Sequence, residues 1–221
     1  MQRNLVIFMP FIGGGGVEKN LFLIANYFSK KISKIFLISS STKHKKKFNN
    51  NINFITPKKN IEENVNIKLK YIICLYYLCL FLIKNRQSIV FSFQANIYAI
   101  IICKLFGVKI IVRSNSSPEG WYHNWFKKFL YKKIINFADL VIVNSKEFKE
   151  QMKKNFKIKA KCIFNPLNKI QIISRSKEKI KNLPFKKNGE LKILNIGRLT
   201  KQKDQITLIR MAHILKNKKL K

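Results

Sequence analysis

Apolar residues fall in short unbroken runs separated by longer stretches where they recur every three or four positions. The runs at 3–9 (RNLVIFM), 34–39 (KIFLIS), 51–55, 89–93 (IVFSF), 108–112 (VKIIV), 140–143 and 160–163 have strand length and read as buried strands. Between the first two, Val17, Leu21, Ile24, Ala25 and Phe28 form one helical stripe. The stretch 65–84 predicts a helix with a strongly apolar face, and 95–106 predicts one that ends at Gly107, where glycine suits a left-handed C-terminal residue. A Lys- and aromatic-rich helix follows over about 122–135. Asn144 or Ser145 can cap the next, with Glu147 at capping-box spacing from Asn144. Strands that are continuously apolar and alternate with helices predict a parallel sheet covered on both faces, an α/β fold.

The chain closes on ILNIGRLTKQKD and a further periodic segment. Residues 191–196 (LKILNI) read as a strand, Gly197 allows close backbone approach at its end, and Asp204 can cap a helix over 205–216. A helix N-terminus gathers free N–H groups that attract phosphate. Arg198 can add a two-pronged grip and Lys203 a point charge, so this turn has the makings of an anion site. The stretch 169–190 is polar and basic, carries Pro184 and Gly189, and reads as a linker. The expected organisation is therefore one domain over 1–168, a linker over 169–190, and the start of a second domain over 191–221.

Charge changes the picture less than its size suggests. A formal net charge of +35 arises from 45 basic and 10 acidic residues, which points to a polyanion, an anionic membrane surface or a phosphorylated substrate. Yet only six of the basic residues are Arg, and a surplus of Lys, Asn and Ile is also what an A/T-rich coding sequence produces. Specific nucleic-acid binding finds no recognisable reading module behind the charge. Cys74, Cys79, Cys103 and Cys162 lie in or beside apolar runs without CxxC spacing, and read as small buried hydrophobes in a reducing compartment rather than as metal ligands. The N-terminus does not have the form of a secretory signal. The longest apolar run, 71–83, falls short of the roughly 20 residues that cross a bilayer. A peripheral membrane role stays open, because Lys-rich faces attract anionic lipid without insertion.

Several residues could carry chemistry. Gly13 to Gly16 let a phosphate, a sugar or a second domain approach the backbone, or form a tight turn only. GGGGVEKN lacks the GK[ST] ending of a P-loop. Glu18 reads first as a compensation of the helix dipole. Arg113, Ser114 and Asn115 leave the C-terminal end of a strand, where ligands collect in open α/β sheets, and can meet an acceptor's phosphate, carboxylate or hydroxyls. Trp121, Tyr122, His123 and Trp125 could stack on sugar rings, enter a headgroup zone or simply pack. Asn144 and Ser145 suit capping better than substrate contact, and Asn165-Pro166 reads as a domain-exit turn.

The succession GGGGVEKNLFLIANYFSK, FADLVIVNSKEFKEQMKKNF, FNPLN and ILNIGRLTKQKDQITLIRMAHIL resembles the GT4-type retaining glycosyltransferases of GT-B fold. The resemblance implies two facing Rossmann-like domains, an N-terminal one that receives the acceptor and a C-terminal one that holds a nucleotide-sugar. Carried onto this chain, it implies that Gly14, Gly15 and Gly16 lie near the donor diphosphate and that Arg198 and Lys203 grip it. Arg113, Ser114 and Asn115 would then lie on the acceptor side; relatives often carry His near the position of Asn115. It implies no metal and no cofactor, the nucleotide-sugar being a co-substrate, and it names no catalytic residue here.

The function so implied is hexosyl transfer, with retention, to a cell-surface polysaccharide such as lipopolysaccharide or to a lipid-linked saccharide, in the cytoplasm or at the inner face of the cytoplasmic membrane. The family's donor domain continues far beyond a first strand and helix and includes a Glu-containing motif. A truncated product, or one half of a split protein that needs a partner chain, is therefore expected, with transfer by the isolated chain weak or absent. The alternative is a nonenzymatic acceptor-domain fragment that binds an anionic lipid-linked saccharide or a partner chain.

Overall fold

The computed structural model describes residues 4–57, 61, 65–116, 124–179 and 193–217. The chain divides into two compact units, Met1–Asn168 and Lys169–Lys221. Trp121, Tyr122, His123, Pro184 and Gly189 lie outside the described residues.

The first unit is built on seven strands: β1 (Leu5–Phe8), β2 (Ile35–Ile38), β3 (Ile52–Ile55), β4 (Ile89–Ser92), β5 (Lys109–Ser114), β6 (Leu140–Val143) and β7 (Lys161–Cys162). They lie in the order β3-β2-β1-β4-β5-β6-β7, and every neighbouring pair is parallel. The chain lays strands outward from β1 to β3, then returns to add β4 on the other side of β1. That reversal opens a crevice at the C-terminal ends of β1 and β4.

Both faces of the sheet are buried, which is why the strands are apolar without alternation. Val6 and Phe8 of β1 point into one core, and Leu5, Ile7 and Met9 into the other. The first core is roofed by α2 (Ile67–Lys84), α3 (Asn96–Leu105), α4 (Trp125–Ile135) and α5 (Lys146–Gln151), which runs on as a π-turn over Met152–Phe156. The second is roofed by α1 (Gly16–Ser29) through Leu21 and Ala25. A fully buried side chain such as Phe8 or Leu78 contributes about 1.5–3 kcal/mol, so dozens of them offset the ordering of the backbone.

Local signals set the ends of the helices. Gly107 takes φ +66°, with its N–H on the Lys104 carbonyl and the Val108 N–H on that of Cys103, a Schellman close to α3. Asn124 caps α4 by accepting from the Lys127 N–H at 2.9 Å. Before α5 the cap is Ser145, which accepts from the Phe148 N–H at 3.1 Å. The capping box expected from Asn144 to Glu147 does not form, because the helix starts one residue later.

The second unit departs further from expectation. Residues 193–196 form no strand, and Ile193, Leu194 and Ile196 are exposed; no neighbouring strand is present among the described residues of this unit to pair with them. The stretch expected as a linker begins with a helix, α6 (Lys169–Ser176), in which Ile170 and Ile173 stand three apart at helical spacing. The unit ends in α7 (Gln205–Asn217), preceded by a 3-10 turn over Lys201–Lys203. Asp204 stands before α7 in a left-handed conformation, φ +47°, and its carboxylate accepts from the Thr207 hydroxyl at 2.8 Å. No helix of the described residues is long and apolar enough to cross a membrane.

Candidate functional site

The loop from β1 into α1 lies at the crevice. Gly13 donates its N–H to Glu18 Oε1 at 3.2 Å, which folds the Glu18 side chain back under the glycine run, where it is only 8% exposed. A Cβ on Gly15 would stand 2.8 Å from Glu18 Oε2, and one on Gly13 3.1 Å from the Phe11 ring. These two glycines are therefore accounted for by the protein itself. A Cβ on Gly14 or Gly16 would meet nothing within 4 Å, so their bare backbone faces open space. The Glu18 carboxylate also lies in the first turn of α1, where it balances the positive end of the helix.

The far wall of the crevice comes from β4 and the turn after it, a stretch the sequence did not single out. Gln94 accepts the Phe11 N–H at 3.0 Å and so ties the two walls together. The buried Ser92 hydroxyl lies 2.7 Å from Asn96 Oδ1 and 2.9 Å from the Gln94 carbonyl, and Asn96 Nδ2 donates to the Arg113 carbonyl at 3.1 Å. Ala95, between them, is held at φ +52°. Polar side chains directly after a continuously apolar strand, as in SFQAN, were the available signal.

Arg113 and Ser114 prove to be the last residues of β5, with Asn115 just beyond. Arg113 is 2% exposed; its Nη2 donates to the Asn165 side-chain oxygen at 2.9 Å and to the Ile163 carbonyl at 3.1 Å. Burial pulls the guanidinium's pKa below its ordinary value. The buried Ser114 donates to the Ser116 carbonyl at 3.0 Å. A cleft of about 430 Å³ opens over these residues, lined by Gln94, Asn96, Tyr98, Ser114, Asn115 and Tyr131 among others.

Buried side-chain atoms without a hydrogen-bond partner concentrate along this edge. Among the described residues they are Ser39 Oγ after β2, Arg113 Nε and Asn115 Oδ1 at the end of β5, and Asn144 Oδ1 after β6. An orphaned buried group costs about 1–3 kcal/mol, so such a group calls for an explanation. Hydroxyl-rich ligands supply both donors and acceptors and can satisfy it.

In the second unit the basic turn is compact. Gln205 Nε2 donates to the Arg198 carbonyl at 2.9 Å, and a Cβ on Gly197 would lie 3.2 Å from Gln205 Nε2 and 3.5 Å from Lys203 Cγ. Gly197, Arg198 and Lys203 thus come together before α7, with both cationic side chains exposed. Trp125, the described member of the aromatic group, is exposed on α4.

No protein-family model matches the chain, and no curated protein does. Solved structures are similar to it in fold. Anabaena HepE, determined in complex with UDP-glucose, superposes with a TM-score of 0.53 at 14% identity over 74% of this chain and 44% of that one. A glycosyltransferase from Rickettsia africae ESF-5 gives a TM-score of 0.52 at 18% identity, over 74% and 43% respectively. The chain spans less than half the length of these proteins. The similarity shows the fold alone, a Rossmann-like parallel α/β domain.

Proposed function

We propose that the chain belongs to a glycosyltransferase that moves a hexose from a nucleotide-sugar, with retention, to a saccharide acceptor. The observation that carries this reading is the row of unsatisfied polar atoms beside an open glycine backbone at the switch point of the sheet. Asn115 and Asn144 would hydrogen-bond acceptor hydroxyls, with Arg113 and Ser114 shaping the wall behind them. Gly14 and Gly16 would admit the reacting sugar, whereas Gly15 is given over to Glu18. HepE was solved with UDP-glucose, which makes a uridine diphosphate sugar the first donor to try.

The chemistry needs little beyond placed charge. As the bond from the anomeric carbon to the diphosphate breaks, negative charge grows on the phosphate oxygens. Arg198 and Lys203 would stabilise that charge more than they stabilise the intact donor. A lipid-linked or polysaccharide acceptor at the inner face of the cytoplasmic membrane fits the lysine-rich surface.

Calorimetric titration of the chain with UDP, GDP, ADP and UDP-glucose tests the donor half of this reading. Binding of at least one nucleoside diphosphate is expected, weakened about tenfold or more in Arg198→Ala and in Lys203→Ala, as loss of a charge-assisted contact implies. Binding to none of the four, or equal binding by both variants, contradicts it.

A further inference from the structure

The helix layer roofing the first core has an outer side that the cleft does not use. α3 packs against both α2 and α4, so the three helices form one continuous surface. The inner stripe of α2, Cys74, Leu78 and Leu82, is buried, yet its outer stripe carries Ile72 and Tyr76 in the open. A helix apolar all round belongs against an apolar medium on both sides. α3 continues the patch with Tyr98 and Leu105, the latter 80% exposed, and α4 with Trp125, 78% exposed, and Phe129.

Charge identifies what covers this surface. Helices α2, α3 and α4 contain no Asp or Glu, while Lys127, Lys128, Lys132 and Lys133 lie on α4 alone. Lys133 Nζ sits 4.7 Å from the centre of the Phe129 ring, an arrangement in which an aromatic and a cation share one side of the helix. A second copy of the chain laid on this face would set lysine against lysine, a repulsion that opposes pairing. A bilayer with anionic headgroups accepts both features, since rings enter the interface while lysines meet phosphate. Tyr98 belongs to the patch and also lines the cleft, so the two surfaces are continuous.

We propose that the outer face of α2, α3 and α4 docks on the headgroup region of an anionic bilayer without crossing it, bringing the cleft beside lipid-borne molecules. The docking stands on the surface alone; that the lipid carries a sugar acceptor rests on the sugar-transfer reading above.

Cosedimentation of the purified chain with vesicles of phosphatidylcholine, pure or containing about one-third phosphatidylglycerol, tests it. The chain is expected to partition about tenfold more strongly into the anionic vesicles, and the triple variant Tyr76→Ser/Leu105→Ser/Trp125→Ser to lose about tenfold or more of that partition. The three side chains are exposed, so circular dichroism should be unchanged. Should the triple variant misfold, Lys127→Glu/Lys133→Glu is expected to show the same loss with its fold intact. With Trp121 replaced by Phe, Trp125 emission should shift to the blue on anionic vesicles. Equal partition into both vesicle types overturns the proposal, as does undiminished binding by a folded variant. So does a dimer that the triple variant abolishes. Vesicle binding without nucleoside diphosphate binding sinks the transferase reading and leaves docking standing, and the reverse result sinks docking alone.

Discussion

The Arg113 guanidinium donates to the Asn165 side chain at 2.9 Å, fastening the end of β5 to the turn that leaves β7. The same Nη2 holds the Ile163 carbonyl, so one buried cation closes the far side of the sheet's C-terminal edge. Arg113→Met would leave that carbonyl and Asn165 without their donor, at a cost of about 1–3 kcal/mol. Urea denaturation should show the loss. Arg113→Lys should restore part of it, because a single nitrogen makes both bonds and an ammonium also carries several donors. A variant as stable as the parent would show that the clasp contributes nothing.

The glycine loop separates structural from open positions. Gly15→Ala places a methyl 2.8 Å from Glu18 Oε2, so the carboxylate must swing aside and give up the bond it accepts from the Gly13 N–H, a loss of about 0.5–1.5 kcal/mol. Gly14→Ala meets nothing, and its stability should stay the same or rise by about 0.4–1 kcal/mol. Thermal melting of the two variants in parallel checks the contrast. If a sugar approaches Gly14, that variant should weaken ligand binding while remaining fully folded.

This contrast also shows what could be read from the chain. The strands were legible because a sheet buried on both faces demands unbroken apolar runs, and Gly107 was legible because a left-handed close favours glycine. Arg113 was legible only as a cation at a strand's end. Its partners lie fifty residues downstream, and no local pattern encodes such a pairing. Gln94 and Asn96 escaped for the same reason, as their bonds run to Phe11 and Arg113. The apolar run at 193–196 has strand composition, but a strand also needs a neighbour to pair with, which composition cannot supply.

Asp139 makes the fold sensitive to acid. Burial works to raise its pKa, but the 2.7 Å bond from Lys104 and the 2.8 Å bond from the Ile110 N–H outweigh that and hold it below the ordinary carboxylate value. A carboxylate depressed in the folded state adds stability above its unfolded pKa and loses it as pH falls through the folded one. Stability should therefore decline below about pH 4, and Asp139→Asn should flatten that part of the curve. Unfolding midpoints measured across the acid range check it; an unchanged slope would contradict it.

The four thiols should divide by burial. Cys74 and Cys103 are fully buried, and burial pushes both thiols up to about 12, so neither offers thiolate at neutral pH. Cys79 and Cys162 are partly exposed. Titration of the native chain with a chromogenic disulfide should label these two first, with Cys74 and Cys103 reacting only on unfolding. Rapid labelling of all four in the native state would contradict the packing of the first core.

A saccharide is expected to bind along the C-terminal edge of the sheet, where polar atoms stand unsatisfied. Backbone amide chemical-shift mapping of the chain on addition of UDP-glucose and of a panel of hexoses tests it most directly. The resonances of Gly14, Gly16, Asn96, Asn115 and Asn144 should shift together as the ligand is added. Shifts confined to residues away from this edge, or none with any sugar, would contradict it.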